Sequence, residues 1–98
     1  MTLARRTHVQ TAEASAQEDQ AIADRILALL ASRAPSASIC PSDVARALSS
    51  DERNWRAKMP AIRRVAAQLA AEGRVKVTRG AVEVDALSEG GPIRIRRL

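Results

Sequence analysis

Arg63, Arg64 and Gln68 are the side chains of this 98-residue chain whose types and spacing best suit chemistry with another molecule. At a helical period they fall together with Ala67 and Ala71, opposite Ile62, Val65, Ala66 and Leu69. That outer face carries two arginines, a glutamine and small residues, with no acid before Glu72. Such a surface can enter a major groove closely, where arginine reads guanine edges or phosphates and glutamine reads adenine. An ordinary solvated helix face also looks like this, so the residues alone leave both readings open. Covalent chemistry has no comparable candidate. One cysteine, Cys40, and one histidine, His8, make neither a Cys–His nucleophile nor a metal site. No acid pair, triad or phosphate-cradling loop can be assembled, so an enzyme is the least favoured class, and no cofactor and no metal are expected.

The charge around those residues is uneven. Residues 1–52 hold five basic and seven acidic side chains, whereas residues 53–98 hold eleven basic and four acidic ones, a net +7 within an overall +5. A basic half joined to a mildly acidic one suggests a face meant for a polyanion. Codon bias explains part of it, because arginine outnumbers lysine fourteen to two and alanine occurs twenty times. The length suits one small domain with a single modest core. With one Trp and no Phe or Tyr, that core must be aliphatic. The lone cysteine excludes an internal disulfide and fits a reducing, cytoplasmic setting. The N-terminal residues lack the apolar run of a secretory signal, and no segment approaches a membrane span.

The elements that must position the outer face can be read in order. Residues 1–17 are rich in Ala, Thr, Ser and Gln without a steady apolar period, and read as a flexible arm ahead of a domain over residues 18–98. Arg5, Arg6 and His8 could reach DNA from such an arm, but a solvated tail is the simpler reading. Ile22, Ile26, Leu29 and Leu30 form the stripe of a first helix that Pro35 stops. Residues 38–40 read as a short strand, and Pro41 suits the first position of a second helix burying Val44, Ala47 and Leu48. Ser49 and Glu52 are spaced as a capping box. Pro60 is read as breaking the chain and opening the third helix, in preference to one continuous helix from Asp51. Gly73 ends that helix as a left-handed cap.

A hairpin follows. With Arg79-Gly80 as a two-residue turn, Val77 faces Val82, Val75 faces Val84, Lys76 faces Glu83 and Arg74 faces Asp85. This leaves Arg79, at the tip, as the hairpin's one cation free for a phosphate. Residues 86–91 read as a flexible connection before a last strand, with Ile93 and Ile95 inward and Arg94 and Arg96 outward, completing a three-stranded sheet. The simplest role for those arginines is to keep an edge strand soluble. Trp55 is expected as a core plug and Cys40 as a small buried residue. The fold class is α+β, mainly α: a winged helix-turn-helix with three helices and a small antiparallel sheet.

ICPSDVARAL (39–48), WRAKMPAIRRVAAQLAAEGRVKVTRG (55–80), VDA (84–86) and GPIRIR (91–96) together resemble a small bacterial family of uncharacterised, winged-helix-like domains of unknown function. The resemblance covers about residues 22–98, with the WRxxMPxxRR run its most specific part, and leaves the N-terminal arm outside. It implies a fold and a DNA-binding ancestry, and no activity. The leading expectation is therefore binding of double-stranded DNA, as in a transcriptional regulator. Arg63, Arg64 and Gln68 would enter the groove, and Lys58, Arg79 and Arg94 would meet phosphates. The alternative is a protein-interaction module that kept the scaffold and lost the groove contacts, with a homodimer or an acidic protein as partner. RNA is less favoured, since aromatic platforms for single-strand recognition are missing.

Overall fold

A computed structural model of the chain describes the backbone of residues 3–98 and side chains from Ala16 onward. The first helix, α1, runs over Leu3–Ala31. It begins well before the expected start near residue 18, because neither Pro nor Gly occurs before Pro35 to interrupt it. The expected boundary at residue 17 is marked by no break in the backbone, and the side chains of Arg5, Arg6 and His8 lie outside the described residues. Ile22, Ala23, Ile26 and Leu30 form the buried stripe of α1, with Leu29 half-buried beside it.

Ser38–Ile39 form β1 and Pro41–Leu48 form α2, with Pro41 in its first turn. Val44 and Ala45 are the buried residues of α2 beside Pro41, so Ala45 takes the place expected of Ala47. The helix α3 spans Glu52–Ala71 without interruption, with Pro60 inside it. This corrects the expected break. Two local causes outweigh the missing proline N–H. The Asp51 carboxylate caps the helix, accepting from the N–H of Arg53 at 2.9 Å and of Asn54 at 3.3 Å, a role the sequence pattern had assigned to Ser49. Trp55, Met59, Ile62, Val65, Ala66 and Leu69 also keep one helical phase across Pro60, so a single rod packs them all against the core. The proline itself is exposed.

The end of α3 is as expected. Gly73 has φ +73°, its N–H donates to Ala70 O at 3.0 Å, and the Arg74 N–H donates to Leu69 O at 2.9 Å. These are the two bonds of a left-handed glycine cap.

Three strands follow: β2 (Lys76–Arg79), β3 (Val82–Glu83) and β4 (Arg94–Arg96). With β1 they make a four-stranded antiparallel sheet in the order β1-β4-β2-β3, where three strands had been expected. The hairpin register also differs. Thr78 pairs with Glu83 and Arg79 with Val82, so Gly80 and Ala81 form the loop. The reason is conformational: Gly80 stands at the first loop position with φ +64°, which glycine adopts without strain. The expected turn would have put Arg79 there. The shift sets Val77 beside Val84, whose N–H donates to Val77 O at 3.0 Å, and leaves Val82 65% exposed. Lys76–Glu83 and Arg74–Asp85 are consequently not pairs. Arg74 lies 3.7 Å from Glu72 instead, and Asp85 accepts the Leu87 N–H at 2.8 Å.

The connection over residues 86–91 is tied down: Ser88 donates twice to Asp85 O, from N–H at 3.0 Å and from Oγ at 2.6 Å, and Ala86 is buried. Ile93 and Ile95 point inward as expected. The core lies between the helices and the inner face of the sheet, where Ile22, Ile26, Ile39, Val44, Ile62 and Ile95 are almost wholly enclosed. Among the described residues, no helix is long and apolar enough to cross a membrane.

Candidate nucleic-acid interface

Because α3 is one rod, its outward side can be followed along its whole length. Arg53, Ala57, Pro60, Arg64, Gln68 and Ala71 recur at helical spacing, and all six are exposed. The stripe holds two cations, one amide and three small or compact residues, and no acid. Arg53 was not expected here. Its signal was nonetheless present: once Asp51 caps the helix, Arg53 falls in phase with Arg64.

The six residues expected to bind nucleic acid do not form one surface. Arg64 and Gln68 lie a turn apart on the outward stripe. Arg64 makes an ion pair with Asp19 of α1, which also carries a hydrogen bond. Gln68 lines the shallow cleft between α3 and α1, with Asp19, Gln20 and Glu72 among its neighbours. Arg63 is turned aside and half-buried. It lines a groove with Met59, Pro60 and Leu87, and its buried Nε has no hydrogen-bond partner. Lys58 is half-buried near the start of α3, with no carboxylate within 4 Å among the described residues.

Arg79 is not the free cation it was expected to be. Its guanidinium donates to Gly91 O at 3.0 Å, Ser88 O at 3.2 Å and Ser88 Oγ at 3.4 Å. It also packs onto Gly90, where an added Cβ would stand 2.8 Å from the guanidinium carbon. Its role is to tie the loop back to the hairpin. Arg94 lies on the outer face of the sheet, donating to Ser38 Oγ at 2.8 Å and Ser38 O at 3.2 Å.

Two further features surround the α2–α3 junction. Trp55 is half-buried at the margin of the core rather than plugged into it, and the guanidinium carbons of Arg46 and Arg56 each lie 4.9 Å from its ring centroid. Arg56 also stands 3.8 Å from Glu52. Cys40, half-buried, precedes α2, and its thiol lies 2.9 Å from Ser42 Oγ. The Cys40 N–H donates to Asp43 at 3.0 Å, and Arg33 stands 3.6 Å from the same carboxylate. Burial alone would raise the Asp43 pKa. The Cys40 N–H and thiol, then the charges of Arg33 and Arg94, outweigh it and hold the carboxyl below its ordinary value. Among the described residues, no three His, Cys, Asp or Glu side chains approach closely enough to hold a metal ion.

Residues 19–98 match the family described as Protein of unknown function (DUF3253), and the chain belongs to that family. No curated protein matches it.

Proposed function

We propose that this member of the family is a winged-helix protein that binds double-stranded DNA, a bacterial, cytoplasmic regulator acting by contact rather than by catalysis. In this reading α2 and α3 form the helix-turn-helix, and the hairpin with its loop forms the wing. The observation that carries the reading is the outward stripe of α3: Arg53, Ala57, Pro60, Arg64, Gln68 and Ala71, exposed, acid-free and slim enough for a major groove. The net +7 of residues 53–98 supplies the surrounding field. Arg53 and Arg64 are the groove-facing cations, with Gln68 beyond them and Lys58 toward the backbone. Arg64 must exchange Asp19 for the nucleic acid as it binds.

The test is an anisotropy titration of a labelled duplex at two salt concentrations. If about six phosphates are neutralised, log affinity falls against log salt with a slope of about −5. The Arg53→Ala, Arg64→Ala protein should bind several-fold more weakly, with a shallower slope. Binding that is absent at low salt, or indifferent to salt, sinks the proposal.

A protein-interaction module on the same scaffold is the second reading, favoured by the groove beside Arg63. Leu87 is 59% exposed there, next to Met59 and Pro60. It predicts a physiological complex that survives loss of Arg53 and Arg64.

A further inference from the structure

The outer face of the sheet carries cations that the expected arrangement does not explain. Arg94 and Arg96 were read as guards of an edge strand, but β4 is an interior strand, paired with β1 on one side and β2 on the other. An interior strand has no open edge to protect. Lys76 stands directly across from Arg96, a cross-strand placement in which like charges repel. Among the described residues, no carboxylate lies within 4 Å of Lys76, Arg94 or Arg96. Arg33, Arg56, Arg64 and Arg74, by contrast, each have one within that distance. Glu83 lies across from Thr78 on this face, and Arg94 acts on the charge of Asp43, which is already held by Arg33 and the Cys40 N–H.

The two arginines are also held in place. Arg94 donates to Ser38 Oγ and O, and Arg96 donates to Thr78 Oγ1 at 3.1 Å and to Ser36 O at 3.5 Å. Each guanidinium keeps unused N–H groups, so less ordering is left to be done when an anion arrives.

We propose that the outer face of the sheet, built on Lys76, Arg94 and Arg96, is a second binding surface for a phosphodiester backbone. The residues on this face argue for nucleic acid over an acidic protein. Ser38, Lys76, Glu83, Arg94 and Arg96 are all polar, Thr78 is buried and bonded to Arg96, and nothing among them could anchor a protein partner as an apolar or aromatic side chain does. A polar surface with an excess of cations is the character of a backbone-binding surface. The inner face of the same sheet packs on the helices, and this surface shares no residue with the α3 stripe. It therefore stands independently of the α3 reading.

Lys76→Glu is the discriminating variant. Lys76 is exposed, and the substitution turns a like-charge pair with Arg96 into an opposite-charge pair, so the fold should become slightly more stable. Binding should move the other way: affinity for labelled duplex at low salt falls about fivefold, with a salt slope shallower by about one or two. Arg25→Glu, on exposed α1, changes net charge equally and should cost less than about twofold. Repeating Lys76→Glu in the Arg53→Ala, Arg64→Ala background keeps the two surfaces separable, since the contribution of the sheet's outer face should persist there. Equal losses from Lys76→Glu and Arg25→Glu overturn the proposal, as does a Lys76→Glu protein that binds unchanged. So does a wild-type chain that ignores duplex and takes polyglutamate, with Lys76→Glu weakening only that.

Discussion

Two basic surfaces of this chain handle their charge in opposite ways. On α3, Arg64 is paired with Asp19 and Arg56 lies near Glu52, so the helix face is partly neutralised by its own protein. On the outer face of the sheet, Arg94 and Arg96 rest on hydroxyls and carbonyls, and Lys76 faces Arg96 with no acid close by. The first arrangement trades affinity for order: a ligand must displace Asp19 before Arg64 is available. The second leaves its cations without an ion pair among the described residues and accepts repulsion within the sheet. Counting basic residues cannot separate the two. What separates them is where the carboxylates fall.

Substitutions on either side should sharpen that contrast. The largest effect is expected at Pro60, which belongs to the helix side alone. Pro60→Ala restores a missing helical hydrogen bond at an exposed position and should raise stability by about 2 kcal/mol, partly offset by a more flexible unfolded chain. Denaturant unfolding would measure it. An unchanged midpoint would mean that the helix bends around the proline at almost no cost.

On the sheet side, Asp43 of α2 feels Arg94 together with Arg33, which follows α1. Asp43→Asn should cost about 1 kcal/mol at neutral pH, through the weakened bond to the Cys40 N–H and the lost charge interactions. Because the folded-state pKa is depressed, the contribution is complete above the ordinary carboxylate range and is lost as pH falls through the folded value. The difference between wild type and Asp43→Asn should therefore shrink in acid, which thermal melts across that range would follow. The smallest stability effect belongs to the exposed ion pair. Asp19→Asn should cost only about 0.5 kcal/mol or less. It should still strengthen duplex binding measurably by freeing Arg64, and a variant that binds more weakly would break the contrast at its helix side.

Much of this was legible in local sequence. The core face of α3, the glycine cap at Gly73 and the inward Ile93 and Ile95 all follow from period and residue type. The starts of α1 and α3 were harder. Pro60 reads as a break until the in-phase stripe from Trp55 to Leu69 is set against the core that stripe must fill. The hairpin register turned on whether Arg79 or Gly80 opens the loop, and a two-pattern match of apolar and charged pairs favoured the wrong choice. Of the candidate site, Arg64 and Gln68 were found on the outward face, and Arg53 was within reach of the same periodicity.

The remaining assignments depended on contacts between distant parts of the chain. Asp19 meets Arg64 across 45 positions, and Arg94 meets Ser38 across 56. By itself the sequence determined the helices, their buried faces, the turn-forming glycines and the excess of positive charge in residues 53–98, because each depends on residue type and short-range spacing. Only the tertiary structure decided which cations stay available. Arg79 is consumed by its own loop, Arg64 is matched by α1, and the arginines of β4 lie on an interior strand. Charge acts through space over a few ångströms, and the partners that neutralise or spare it are brought there by the fold.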